Sequence, residues 1–147
     1  MEPNIHINYI AILIAVVANF VLGFLWYTPL FGKTWGKEMG FNMEEKPDPS
    51  IMIKGMVFMV IGNFLMAYVF AHNMAVWNPV TWGLEPSTAS PSAVATMAAI
   101  FTWLGFYFPN DLGSTVWEKK SWKLFWINTG YHFFCLFVAA MILANMA

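Results

Sequence analysis

The stretch PNIHINYIAILIAVVANFVLGFLWYTPLFG, residues 3–32, contains no aspartate, glutamate, lysine or arginine. Three further stretches, residues 55–84, 86–110 and 124–147, share this property. Each exceeds the roughly 20 residues with which an α-helix crosses a hydrocarbon layer about 30 Å thick. We therefore predict an all-α integral membrane protein, a four-helix bundle whose spans lie at about 8–27, 54–73, 91–109 and 123–145.

The composition of the 147-residue chain argues against a soluble protein. Hydrophobic residues make up 59% of it and charged residues 10%, whereas about 25% of an average soluble domain is charged. Seven lysines, no arginines and eight acidic residues give a formal net charge of -1. So small a net charge provides no electrostatic surface for nucleic acid. We expect the lipid bilayer as a partner, and no nucleic acid.

The lysines predict how the chain is oriented. All seven lie in or beside two of the predicted connections, residues 28–53 and 110–122. The N-terminal tail, the connection 74–90 and the C-terminal end contain no lysine or arginine. Because positively charged loops stay in the cytoplasm, we expect 28–53 and 110–122 to be cytoplasmic and both termini to lie outside. The whole chain, residues 1–147, is then a single four-span membrane domain.

Tryptophan and proline positions refine the ends of the spans. Seven tryptophans suit an aromatic belt at headgroup depth, whereas Trp103 lies in the middle of a span. Pro109 is expected to end the third span. Asp111, just beyond it, is expected to reach water or to pair with Lys119 or Lys123, and a catalytic role is the weaker alternative. The seven are Trp26, Trp35, Trp77, Trp82, Trp117, Trp122 and Trp126.

A faint internal repeat relates the ends of the first and third spans. Residues 23–37 and 105–119 both present Gly-Phe and then Pro, Gly, Thr, Trp and Lys, at spacings that differ by one or two residues. One interpretation is a parallel duplication about an axis along the membrane normal. The other is that span ends favour Gly, Pro and Trp in any case.

Each predicted span also carries hydrogen-bonding side chains near its middle. At ~1.5 Å per residue they lie at roughly one depth, so they would form a polar layer if the four faces converge. One interpretation is a water-accessible site with His132 as proton acceptor or ligand-binding base. The other is structural hydrogen bonding between helices, worth about 0.6 kcal/mol each. The candidate binding residues are Asn19, Asn63, Thr102, Asn128, Tyr131 and His132.

Small residues recur at helical spacing on each span. On the first span Ala11, Ala15, Asn19 and Gly23 follow one another at every fourth position. Small residues let helices approach closely in lipid, and short connections favour antiparallel neighbours. Such faces can also hold a second copy of the chain, and we expect a homo-oligomer, with a dimer favoured.

The chain carries no motif of the main enzyme classes. It has no HExxH sequence, no carboxylate pair within a span and no Ser-His-Asp set. Cys135 is the only cysteine, so a disulfide framework and a thiolate cluster are excluded. The absence of arginine, and of a carboxylate in the first span, disfavours small multidrug pumps, fluoride channels and glutathione-using membrane enzymes. We expect no catalytic residue, no cofactor and no metal.

Two segments, one near each end of the chain, resemble a known family. The match spans nearly the whole chain. The first is Asn8-Tyr9, Ala18-Asn19-Phe20-Val21-Leu22-Gly23, Leu25-Trp26-Tyr27 and Pro29-Leu30-Phe31-Gly32-Lys33 with Trp35. The second is Trp122-Lys123-Leu124-Phe125, Ile127-Asn128, Gly130-Tyr131-His132 and Ile142-Leu143-Ala144. The chain resembles the small bacterial membrane proteins of domain of unknown function seventeen-sixty-one, DUF1761. Ala139-Ala140 departs from a glycine expected there, which affects only packing.

The resemblance implies a four-span protein of the bacterial inner membrane, and it brings no established activity. The polar layer favours a binding or passage site for a small neutral or weakly basic molecule in an oligomeric bundle. A non-transporting accessory or lipid-organising protein with a dry core is the alternative, and an enzyme acting on a lipid comes third.

Overall fold

The computed structural model describes residues 2–147, of which none lies in a β-strand. Helices make up 77% of the protein. Four of them are long and apolar enough to cross a membrane, which confirms the predicted all-helical, four-span fold. These four run from Tyr9 to Leu30, Pro49 to Val76, Pro91 to Trp117 and Trp122 to Asn145.

Two of the four long helices contain a π-helical turn, and short helices follow the first and the second. In chain order the elements are α1 (Tyr9–Leu25), the first π segment (Trp26–Leu30), α2 (Gly32–Glu38), α3 (Pro49–Val76), a 3-10 turn (Pro79–Trp82), α4 (Pro91–Thr102), the second π segment (Trp103–Tyr107), α5 (Phe108–Trp117) and α6 (Trp122–Asn145).

Each long helix begins at a polar residue that caps it. The side-chain oxygen of that residue accepts a hydrogen bond from a backbone N–H of the first turn, where no helical partner is available. A proline occupies the first position of α3 and of α4, where its missing N–H costs no helical hydrogen bond. The four capping residues are Asn8, Asp48, Ser90 and Ser121.

α6 is the central helix of the bundle. In its most apolar window 39% of the residues are buried, against 17% in α3. α6 packs against α1 and α4, whereas α3 packs mainly on α1. Alanine dominates these contacts because its small side chain lets helix backbones approach closely. The buried alanines are Ala11, Ala15, Ala67, Ala71, Ala95, Ala99, Ala139 and Ala140.

Both chain ends lie at one end of the bundle. Asn8 Nδ2 donates to the carbonyl oxygen of Met146 at 2.7 Å, and the backbone N–H of Asn4 donates to Thr81 at 2.9 Å. We call this the terminal end. The opposite end, which carries residues 31–48 and 118–121, is the lysine end. The side of the membrane that each end faces stays a prediction.

The third membrane helix passes through Pro109 and ends at Trp117, so the predicted end at residue 109 is too early. A proline inside a helix clashes with the carbonyl group four residues before it. Here that residue is Gly105, which lies in the second π segment. The extra residue of a π turn displaces this carbonyl group, so the helix continues into α5.

Candidate functional site

A cavity of about 460 Å³ lies at the lysine end of the bundle. Its walls come from the first π segment, α2, α5 and α6, together with one lysine of the connection before α6. We call it the lysine-end cavity. Its lining residues are Tyr27, Trp35, Met39, Asp111, Ser114, Thr115, Lys120, Phe125, Asn128, Tyr131 and His132.

The first π segment positions one tyrosine in this cavity. The backbone N–H of Phe31 donates to the carbonyl oxygen of Trp26 at 2.9 Å, five residues back, which is the π-helical pattern. Trp26 in turn donates its indole N–H to the carbonyl oxygen of Ile127 on α6 at 3.0 Å. Held in this way against α6, the segment lets the Tyr27 hydroxyl donate to Asn128 Oδ1 at 2.8 Å.

The second π segment and α5 bring a carboxylate to α6. Trp103 donates its indole N–H to the backbone oxygen and the hydroxyl oxygen of Thr129, at 2.9 and 3.1 Å. Two turns further along, Asp111 Oδ2 lies 2.7 Å from Nδ1 of His132. Their side chains are 13% and 32% exposed, respectively. An ion-pairing carboxylate is thus largely enclosed within a helix long enough to cross a membrane.

One oxygen of this carboxylate is available to a ligand. His132 engages Oδ2, and within residues 2–147 Oδ1 of Asp111 makes no hydrogen bond. The imidazole carries a hydrogen on Nδ1 when it donates to Asp111, whether the ring is neutral or charged. With a neutral ring the pair keeps one negative charge, and Oδ1 can accept a hydrogen bond from a cation.

The one lysine in the lining, Lys120, is paired with a carboxylate. Lys120 Nζ lies 2.6 Å from Glu118 Oε2 and 3.2 Å from Ser114 Oγ. These two groups also hold the pKa of the Glu118 carboxyl below its usual range, with the hydrogen bond from Lys120 as the larger cause. Glu118 therefore stays ionised and pairs with Lys120. The negative charge of Asp111 is therefore available to interact with His132 or with a ligand.

Aromatic rings surround the same space. The Tyr27 ring meets those of Tyr131 and Trp35 edge to face, with centroids 5.0 and 5.3 Å apart. Tyr107, on the second π segment, lies 5.2 Å from the His132 ring. Aromatic faces attract cations, and the tyrosine hydroxyls add polar contacts. The cavity therefore combines a carboxylate with electron-rich rings.

Three of the six predicted site residues line this cavity: Asn128, Tyr131 and His132. The other three lie elsewhere. Asn19 is fully buried and donates from Nδ2 to the backbone oxygen of Cys135 at 3.1 Å. Asn63 lies on α3, and Thr102 lines a separate groove at the terminal end. The cavity therefore brings together Asn128, Tyr131 and His132, and it does not include Asn19, Asn63 or Thr102.

One other expectation needs correction. Asp111 pairs with His132 and not with Lys119 or Lys123, because the third helix continues past Pro109 and carries the carboxylate to the face of α6. The internal repeat stays a prediction. Its two copies lie in the parts of the chain that contain the two π segments, which begin at Trp26 and Trp103.

Sequence reasoning missed part of the lining. Tyr27 and Trp35 had been interpreted only as parts of a span end and an aromatic belt, yet both face the cavity. Ser114, Thr115 and Lys120 had been assigned to a connecting loop. The one available signal was Asp111, since a carboxylate beside an apolar span is a functional candidate by default.

A second, apolar depression lies at the terminal end. This groove, of about 1350 Å³, has walls from α3, α4 and the end of α6, and residues of the segment 4–8, the connection 77–89 and the second π segment complete its lining. α3 and α4 make no extensive contact with each other, so the space between them stays open. Phe70, Met74 and Phe101 are among its apolar residues. It is wide and apolar, whereas the lysine-end cavity is smaller and carries charge.

The residues that the structure describes contain no group of three or more His, Cys, Asp or Glu side chains able to hold a metal ion. Neither a curated protein nor a solved structure shows significant similarity to the chain. A family model described as "Protein of unknown function (DUF1761)" matches residues 10–144. That match includes nearly all of the four long helices and the whole lining of the cavity. The chain therefore belongs to the DUF1761 family.

Proposed function

We propose that this protein binds a small weakly basic solute, as a protonated amine, in the lysine-end cavity and serves its passage through the bundle. The observation that carries the proposal is the Asp111–His132 pair, 2.7 Å apart on the wall of that cavity. A volume of about 460 Å³ falls in the range of small-molecule pockets, roughly 300–1,000 Å³.

The chemistry of the lining favours a cation over an anion. Asp111 supplies negative charge and a free Oδ1, while the positive charge of Lys120 is paired with Glu118. The rings of Tyr27 and Tyr131 line the cavity, and aromatic rings attract an ammonium group. A charged group inside a membrane helix is costly and is retained chiefly where it pairs or binds. A protonated amine satisfies both the carboxylate and the rings.

The test measures thermal stabilisation of the purified protein in nanodiscs by three protonated amines, which are methylammonium, dimethylammonium and ethanolamine. A ligand at 100 times its Kd adds about 2.7 kcal/mol to the free energy of unfolding, so we expect a clear rise in Tm with at least one of these. Asp111→Asn should remove the rise. Glu44→Gln, which removes an exposed negative charge outside the cavity, is the matched control and should retain it.

A second comparison needs no variant and so holds even where Asp111→Asn fails to fold. Ethylene glycol is close to ethanolamine in shape and carries a hydroxyl group in place of the positive ammonium group, and we expect it to leave the Tm of the wild-type protein unchanged. A rise in Tm of the same size with ethanolamine and with ethylene glycol would contradict the proposal, as would the absence of stabilisation by all three amines.

His132 has its own expected effect. His132→Ala removes the group that orients the Asp111 carboxylate at 2.7 Å. We expect amine stabilisation to be lost while expression and Tm without ligand stay near the wild-type values. A variant that no longer folds would instead identify the histidine as a structural residue, and the role proposed for it here would be abandoned.

We further propose that the protein acts as a homodimer in a bacterial inner membrane, with the lysine end in the cytoplasm and both termini outside. All seven lysines at or near one end support this orientation. The largely exposed surface of α3 supports a second copy as its partner, since only 17% of its most apolar window is buried. Native mass spectrometry from nanodiscs that detects only the monomer would overturn the dimer.

The groove at the terminal end favours a second candidate function, the binding of a membrane lipid. Its apolar walls, including Phe70, Met74 and Phe101, fit acyl chains. Met97→Trp should fill part of the groove and lower the amount of phospholipid retained in native mass spectra. Ile53→Trp, on an exposed part of α3, should leave it unchanged. Equal retention by the two variants would count against lipid binding in this groove.

A further inference from the structure

Two buried amide atoms lack a hydrogen-bond partner among residues 2–147. They are Oδ1 of Asn19 and Nδ2 of Asn63. A buried polar atom without a partner costs free energy, and the great majority of such atoms in proteins are paired with protein or with ordered water. One of the two atoms accepts hydrogen bonds and the other donates them. Their needs are therefore complementary.

The orientation of Asn19 is determined by its other amide atom. Nδ2 donates to the backbone oxygen of Cys135 on α6 at 3.1 Å. A nitrogen and not an oxygen must face that carbonyl group, so the assignment of the amide follows from the bond. Asn19 is 0% exposed. Its Oδ1 is an acceptor inside the bundle that no side chain of α1 or α6 satisfies.

The packing of α1 on α3 brings the two asparagines to the same level of the interface. A Cβ atom added at Gly23 would overlap Cε of Met59, so the Met59 side chain reaches α1 at this level. One helical turn toward the terminal end, α1 carries Asn19 and α3 carries Asn63. One turn further, the two helices carry the buried alanines Ala15 and Ala67. The two asparagines therefore occupy corresponding positions on the two helices.

We propose that a bound water molecule bridges Nδ2 of Asn63 and Oδ1 of Asn19 in the interface between α1 and α3. The two atoms do not meet hydrogen-bond geometry with each other, and a water accepts from one and donates to the other. Buried waters occupy such polar sites and make two to four hydrogen bonds. The site does not depend on which solute the lysine-end cavity takes.

This hydration site extends the polar lining of the cavity into the bundle. The Tyr131 hydroxyl oxygen lies 2.8 Å from where a Cβ of Gly23 would be, one turn from Asn19. Tyr131 lines the cavity, whereas α3 contributes no side chain to it. The water therefore joins α3 to the polar side of α1 and α6.

The experiment detects the water directly in the wild-type protein. In nanodiscs, with asparagine side chains labelled by nitrogen-15, rotating-frame Overhauser spectra distinguish a bound water from chemical exchange by the sign of the cross-peak. We expect a bound-water cross-peak at the Asn63 side-chain amide. Asn42, in an exposed connection, is the matched control and should show only exchange with bulk water.

Substitutions then test the bridge. Asn19→Leu removes Oδ1, so the water cross-peak of Asn63 should disappear. Persistence of the cross-peak in that variant would overturn the bridge, because the water would then be held without Asn19. A wild-type spectrum with no water cross-peak, but with direct Overhauser contacts between the two amides, would overturn the site altogether. The wild-type measurement remains decisive where Asn19→Leu does not fold.

Discussion

Both π segments attach a long helix to α6, but the chain continues differently after each of them. Each begins with a tryptophan whose indole N–H donates to a carbonyl group of α6, Trp26 to Ile127 and Trp103 to Thr129. After the first segment the long helix ends and the chain turns into α2. After the second the helix continues in line as α5.

The difference determines what each segment supplies to the cavity. The first delivers Tyr27 directly, and the turn that follows adds Trp35 of α2. The second segment lets the helix continue into α5, and Asp111 on α5 lines the cavity two turns after Trp103. π turns often occur at functional sites because one extra residue rotates the side chains that follow. Here two such turns aim an aromatic side chain and a carboxylate at the same face of α6.

Backbone packing distinguishes the two segments most clearly, and it provides the largest expected effect. A Cβ at Gly32, just after the first segment, would lie 2.6 Å from the carbonyl oxygen of Tyr27, whereas a Cβ at Gly105 in the second meets nothing within 4 Å. Gly32→Ala should therefore lower the free energy of unfolding by about 2–3 kcal/mol, as overpacking against backbone does.

Gly105→Ala is the matched control. Alanine favours a helix over glycine by about 1 kcal/mol, so this variant should be neutral or slightly more stable than wild type. Unfolding in nanodiscs or detergent with rising denaturant, followed by circular dichroism, measures both. Equal destabilisation by the two substitutions would show that the close approach at Gly32 does not distinguish the segments.

The tryptophans give the next largest effect. Trp103 donates to two oxygens of Thr129 and Trp26 to one oxygen of Ile127. Replacement by phenylalanine keeps an aromatic ring and removes the N–H. Hydrogen bonds between membrane helices are worth about 0.6–2 kcal/mol, so Trp103→Phe should cost about 1–2 kcal/mol and Trp26→Phe about half as much. The same unfolding measurement checks the order, and a reversed order would contradict it.

Much of the fold could be predicted from the sequence, because the solvent for these helices is lipid. Four charge-free stretches leave no alternative to four helices, since a bilayer satisfies no backbone polar group. The face of α6 was also predictable. Asn128, Tyr131 and His132 recur at helical spacing, and all three line the cavity.

The residues that pack against this face of α6 were not predictable from the local sequence pattern. Pro109 is an ordinary signal for the end of a helix, and only the π turn before it lets the helix continue to Asp111. Trp26 fits an aromatic belt by position, and the bond from its indole N–H to α6 could not be predicted from that position. The error at Pro109 arose because one extra residue in a turn shifts the residues beyond it, and hydrophobic periodicity does not register that shift.

The tyrosines of the two segments provide the smallest and most local test. The Tyr27 hydroxyl donates to Asn128 Oδ1 at 2.8 Å, whereas the Tyr107 hydroxyl has no hydrogen-bond partner within residues 2–147 and only its ring contacts His132. Tyr27→Phe therefore frees Asn128 to turn away from the cavity. Tyr107→Phe keeps the contact between the aromatic ring and His132.

A hydrogen bond of about 0.6 kcal/mol corresponds to a roughly threefold change in a binding constant. We expect Tyr27→Phe to weaken amine binding about threefold and Tyr107→Phe to leave it unchanged, both measured by titrating the stabilising amine against Tm. Unchanged binding in both variants would contradict this expectation and would mean that the rings hold the amine without the Tyr27 hydroxyl. The hydrogen-bonded position of Asn128 would then be a matter of packing, and the two π segments would be equivalent in function although they differ in geometry.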